Sequence, residues 1–93
     1  MTMTRDRAET VALTALGWLV GNDELLPVFL GATGGDAGSL RRAAEDDQAL
    51  GAVLDFLTMD DNWVVALCDA TGLDYRDPLA ARMVLSGGEM HWT

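Results

Sequence analysis

Residues 47–57 carry the clearest periodic pattern in the chain. Leu50, Val53, Leu54 and Leu57 recur at i, i+3, i+4 and i+7, with Asp47 and Asp55 outside the stripe. That spacing gathers four apolar side chains on one face of an α-helix, whereas a strand would send alternate residues to opposite faces. The same pattern recurs along the whole sequence, punctuated by helix-starting acids or asparagines and helix-stopping glycines. The few β-branched residues fall inside helical patterns, and nothing reads as a strand of useful length.

Six short helices are expected. The first spans about residues 6–20, with Ala8, Ala12, Ala15, Leu16 and Leu19 on one face, and ends at Gly21-Asn22. Asn22 or Asp23 can cap the second, which carries Leu26, Phe29, Leu30 and Thr33. Pro27 falls in its first turn, where amide protons have no intrahelical partner. Gly34-Gly35 fits a left-handed stop. A short third helix starts near Ser39, with Leu40, Ala43 and Ala44 inward and Arg41 and Arg42 outward. The fourth is the stripe at 47–57. Asp60 or Asp61 caps the fifth, which carries Trp63, Val64, Leu67 and Ala70 and stops at Gly72. Asp77-Pro78 opens the sixth, since proline suits the first helical position after an Asp cap, and Leu79, Met83 and Val84 are expected to face the core.

An offset of 38 brings related residues together: Leu16 with Leu54, Trp18 with Phe56, Leu19 with Leu57, and Asp23 with Asp61. Ala32-Thr33-Gly34 likewise meets Ala70-Thr71-Gly72, and Asp36 meets Asp74. Seven of the 25 positions compared between 12–36 and 50–74 are identical. The reading is an all-α compact bundle that divides into two pseudo-repeated three-helix units, 8–45 and 46–86, packed face to face. Trp18 and Phe56 would fill their interface. Chance recurrence of helix-cap-helix syntax in an Ala/Leu-rich chain is the alternative.

Size and charge narrow the function. Ninety-three residues with a 49% hydrophobic share fit one domain, 1–86, since domains run to ~100–150 residues. Residues 87–93 then form a Gly-Gly tail, docked on the domain, free of it, or bound to a partner. Fifteen acids oppose six arginines, with no lysine, for a net charge of −9. That balance argues against nucleic acid, which demands clustered cations, and against anionic membrane surfaces. The longest uncharged stretch, 10–22, has 13 residues, short of the ~20 needed to span a bilayer. One cysteine, Cys68, makes no internal disulfide, so the expected location is cytoplasmic.

Catalytic chemistry is poorly supplied. Asp46-Asp47 and Asp60-Asp61 sit at expected helix starts, where carboxylates accept amide hydrogen bonds and meet the positive end of the dipole. One histidine, His91, and one cysteine exclude a Cys/His zinc cluster. Cys68 beside Leu67 reads as a small buried hydrophobe. Gly34-Gly35 and Gly87-Gly88 lack the lysine of a phosphate-binding loop. The expectation is therefore no enzyme, no catalytic residue, no cofactor and no metal. Trp63, at the start of the fifth helix, and Met90, His91 and Trp92, in the tail, are the candidate partner contacts.

Trp18-Leu19, Asp23-Glu24-Leu25-Leu26 with Phe29-Leu30, Thr33-Gly34, Leu40-Arg41, Val53-Leu54-Asp55-Phe56-Leu57 and Asp60-Asp61 together resemble a small bacterial family. It is the domain-of-unknown-function family 3572. The resemblance runs from about Ala8 to the C-terminus, is most specific over 53–57, and extends to Gly87-Gly88 and His91-Trp92-Thr93. Asn62 and Met90 depart from the family's more acidic and proline-containing pattern. The resemblance implies an all-helical fold and brings no activity, cofactor or catalytic residue. The expected function is a non-catalytic protein–protein interaction module; the alternative is a small self-associating structural protein, a homodimer through the fifth helix or the C-terminal tail.

Overall fold

A computed structural model of the chain describes residues 3–35 and 37–86. Met90, His91 and Trp92, with the rest of 87–93, lie outside the described residues. The chain forms six α-helices: α1 (Arg5–Val20), α2 (Leu25–Thr33), α3 (Ala37–Ala43), α4 (Asp47–Leu57), α5 (Asp61–Thr71) and α6 (Asp77–Ser86). No strand occurs among the described residues. The radius of gyration is 12.4 Å, close to the ~12 Å of a compact chain this long.

Short polar side chains start the helices. Thr4 Oγ1 accepts from the Arg7 amide at 3.1 Å. Asp46 Oδ1 accepts from the Gln48 amide at 3.0 Å, and Asp60 Oδ1 from the Asn62 amide at 2.8 Å. Asn22 Oδ1 takes two amides, of Glu24 and Leu25, ahead of α2. Each satisfies donors that the first helical turn leaves without partners. At the other end, Gly34 (φ 71°) and Gly72 (φ 80°) stop α2 and α5 in the left-handed conformation. Only glycine takes up that backbone without steric cost.

The sixth helix starts differently from the expectation. Asp77 is its first residue rather than its cap, and its carboxylate accepts from the Asp74 amide at 3.2 Å. Asp74 Oδ1 in turn accepts from the Arg76 amide at 2.8 Å.

The core forms where α1, α4 and α6 meet. It takes Ala8, Val11, Ala12, Ala15, Leu16 and Leu19 from α1, and Leu50, Val53, Leu54, Phe56 and Leu57 from α4. Both stripes expected on these helices are buried. Around them, α2 contributes Phe29, α3 Leu40 and Ala43, α5 Leu67 and α6 Ala81. Full burial of one leucine stabilises by about 1.5–3 kcal/mol, so the α4 stripe is a principal source of stability.

Four expected inward residues are turned outward. Leu79 and Met83 are 49% and 64% exposed, and α6 instead buries Pro78 and Ala81, with Val84 partly covered. The choice follows from close packing: α6 lies against both α1 and α4, and α1 presents a buried row of alanines. A helix fits closely into such a site through its own small residues, which leaves its larger side chains at the flanks. Ala44 and Ala70 are exposed as well, while Cys68 is buried beside Leu67. Trp18 is partly buried against the core rather than enclosed within it.

The residues paired by the 38-residue offset share local geometry at Gly34 and Gly72 and at the Asn22 and Asp60 caps. Their packing differs, because α6 lies against α1 and α4 whereas its counterpart α3 packs on α4.

The α6 register has a direct test in denaturant unfolding. Ala81→Leu is expected to destabilise by about 1–3 kcal/mol through overpacking, and Leu79→Ala to stay within ~0.5 kcal/mol. Equal losses at the two positions would contradict this register.

Candidate functional site

Three aromatic rings tie α2, α4 and α5 together. Phe56 stacks on Trp63 with centroids 4.8 Å apart and an interplanar angle of 26°, and Phe29 meets Phe56 edge-on at 5.2 Å and 69°. Phe29 and Phe56 are buried, and Trp63 is half-buried at the outer end of the row. The Asp60 cap sets the start of α5 and so aims Trp63, whose amide donates to the Asp60 carbonyl at 3.0 Å. Of the four candidate contacts, Trp63 is therefore placed with one ring face against Phe56 and part of the indole at the surface. Met90, His91 and Trp92 lie outside the described residues.

Beside this row lies a half-open apolar cleft of about 220 Å³ between α2, α3 and α4. Phe29 and Leu30 form one wall, Leu40 and Ala43 a second, and Ala49 and Ala52 the floor. Leu30 and Ala49 are partly buried and Ala52 is exposed. Sequence periodicity missed the cleft, because Ala49 and Ala52 lie outside the α4 stripe and gain meaning only once α3 lies across them. An alanine pair on a helix's polar side is the one signal that points to it. The lining offers shape and apolar contact; it carries no ionisable side chain.

The titratable groups act mainly in holding helices together. Arg5 pairs with Asp47 and, at 3.8 Å, with Glu9, joining α1 to α4. Arg7 pairs with Asp77 at 3.2 Å, joining α1 to α6, and Arg82 pairs with Asp55, joining α6 to α4. Hydrogen bonding with Asp47, and then its charge, push the Glu9 carboxyl up, toward the protonated form that can donate to its neighbour, while hydrogen bonding with Glu9 and then Arg5 holds Asp47 down. Exposed pairs of this kind contribute ~0–1 kcal/mol each. Asp74 is held low by hydrogen bonds from Arg76.

Cys68 offers little as a nucleophile. Burial and then the nearby acids Asp77, Asp69 and Asp74 push its thiol up, away from the reactive thiolate. Its sulfur lies 3.5 Å from the Asp74 carbonyl, to which it donates. No group of three or more His, Cys, Asp or Glu able to hold a metal occurs among the described residues.

Two measurements probe this geometry. A double-mutant cycle on Phe56→Leu and Trp63→Leu is expected to give a coupling of about 0.5–1.5 kcal/mol in unfolding free energy; zero coupling would remove the stack. Tyr75, the one tyrosine in the chain, donates to Asp69 at 2.6 Å, and that bond and charge raise its hydroxyl above the ordinary 10.0. The raised folded-state value favours the neutral phenol. Its contribution to stability is thus complete below pH 10 and is lost as pH climbs through the folded value. Phenolate absorbance should therefore appear later on alkaline titration than in Asp69→Asn; coincident curves would refute the bond.

No described helix is long and apolar enough to cross a membrane. No curated protein and no solved structure matches the chain. One family model does, over residues 5–88, and its description is a protein of unknown function. That match takes in all six helices, both left-handed glycine stops and the whole aromatic row. With nearly its full length matched, the chain belongs to the DUF3572 family.

Proposed function

We propose that this chain is a non-catalytic protein–protein interaction module of the bacterial cytoplasm. The observation that carries the reading is the apolar cleft between α2, α3 and α4, with Phe29 in its wall and the half-buried Trp63 at the far end of the aromatic row that Phe29 begins. A hydrophobic depression with a buried phenylalanine in its wall suits an apolar anchor from a partner helix, the arrangement in which few side chains supply most of the affinity. The location rests on the lone unpaired thiol. Met90, His91 and Trp92 are proposed as further contacts because the tail carries two apolar side chains, Met90 and Trp92, flanking the one histidine.

Self-association is the second reading, for which Val65, 43% exposed on α5, is the supporting observation. Affinity capture from host lysate compares the full chain with Ala52→Arg, which fills the cleft from its lining with a long charged side chain, and with a chain truncated after residue 86. The interaction reading expects a protein retained by the parent to bind at least about tenfold more weakly to Ala52→Arg. Loss on truncation would implicate Met90, His91 and Trp92. Identical capture by all three chains would sink the module reading.

A further inference from the structure

The cleft between α2, α3 and α4 is apolar inside and acidic at its edge. Its floor is Ala49 and Ala52 of α4. Glu45 and Asp46 stand in the turn that joins Ala43, in one wall, to the start of α4, and Asp55 follows Ala52 by one turn. All three acids are exposed. Asp46 and Asp55 thus mark the two ends of the floor, about 13 Å apart along the helix axis at 1.5 Å per residue.

Few cations oppose them. Arg5 and Arg7 are bound to Asp47 and Asp77, where α1 meets α4 and α6. Arg41 and Arg42 fall roughly 100–160° around α3 from the lining pair Leu40 and Ala43. The α2 wall carries no charge. Arg82 reaches Asp55 from α6, and that carboxylate keeps lone pairs for a second donor.

This combination selects among occupants. The cleft holds about 220 Å³, and since a cavity of ~150 Å³ admits a benzene ring, one leucine or phenylalanine side chain fits. A second copy of this chain would bring the same acids and a net charge of −9 to the same rim, and like charges brought together oppose association. A partner strand finds no strand edge to extend among the described residues. A helix needs only the anchor pocket and complementary flanks.

We infer that the cleft takes a cationic amphipathic helix. One leucine or phenylalanine enters between Phe29, Leu40 and Ala52, and lysines or arginines about four or five positions to either side meet Glu45 or Asp46 at one end and Asp55 at the other. The inference rests on the interaction-module reading and adds to it the chemistry of the partner. Attraction between rim and helix speeds encounter and weakens as salt screens it.

Fluorescence anisotropy with the full chain and three labelled synthetic helices, each about 18 residues long, tests it. The first carries one phenylalanine on an alanine face flanked by lysines. The second has glutamate at every lysine position, and the third has alanine in place of the phenylalanine. The first should bind with a Kd of about 10–100 µM, rising several-fold between about 20 mM and about 300 mM sodium chloride. The other two should bind at least about tenfold more weakly, as should the first helix to Ala52→Arg. Glu45→Gln with Asp55→Asn should weaken it several-fold. Asp23→Asn with Glu24→Gln removes the same charge at the other end of α2 and should leave the Kd within about twofold. All variants should melt close to the parent; the alanine helix tests the pocket on the unaltered chain.

Equal binding of the glutamate or alanine helix, equal weakening by the two charge-removing pairs, indifference to Ala52→Arg, or a Kd above about 1 mM would each overturn the inference. The module reading fails separately. A glutamate helix displaced by Ala52→Arg would remove the cationic partner and leave the cleft as a docking site, whereas lysate capture unchanged by Ala52→Arg and by truncation would remove the module itself.

Discussion

Burial of the α1 stripe, from Ala8 to Leu19, is the constraint on which the other helices depend. The stripe alternates small and large side chains, so neighbouring helices sit at different depths along it. Ala8, Ala12 and Ala15 allow close approach, while Leu16 and Leu19 fill volume toward the far end. α4 answers with leucines and valine, and α6 with Pro78 and Ala81. Interiors are packed like organic crystals, so a change of one methylene in this row is transmitted to every element that touches it. Arg5–Asp47, Arg7–Asp77 and Arg82–Asp55 join the same three helices from the outside. They add register more than energy.

Much of this was legible in the residues. The α4 stripe, the α1 stripe and the two glycine stops are local properties: periodicity, cap chemistry and a backbone angle that glycine alone tolerates. They depend on a few neighbouring residues and survive any tertiary arrangement. Asp46 and Asp60 act as the caps their positions announce. Cys68 is the buried small hydrophobe that its place beside Leu67 suggested.

What stayed hidden is nonlocal. The orientation of α6 depends on the alanines of α1, far away in the chain, and ranking side chains by size pointed to Leu79 and Met83 instead of Ala81. The cleft exists because α3 crosses two alanines on the polar side of α4. The carboxyls of Glu9 and Asp47, which shift each other's titration, meet only after their helices pack, and nothing in either local segment hints at it. Trp63 is intermediate: its place at the start of α5 marked it as a candidate contact, but its stacking on Phe56 required the angle between two helices.

The buried thiol of Cys68 links the chemistry of one atom to the motion of one turn. It sits under the segment leading into α6 and donates to the Asp74 carbonyl, whose residue also accepts from Arg76 and donates its amide to Asp77. An oxidant or alkylating agent reaches the sulfur only when that small network parts. Local opening of this kind proceeds at free energies below that of global unfolding. The lone cysteine is thus an internal clock for the opening of the turn between α5 and α6, ticking at the rate at which that segment breathes.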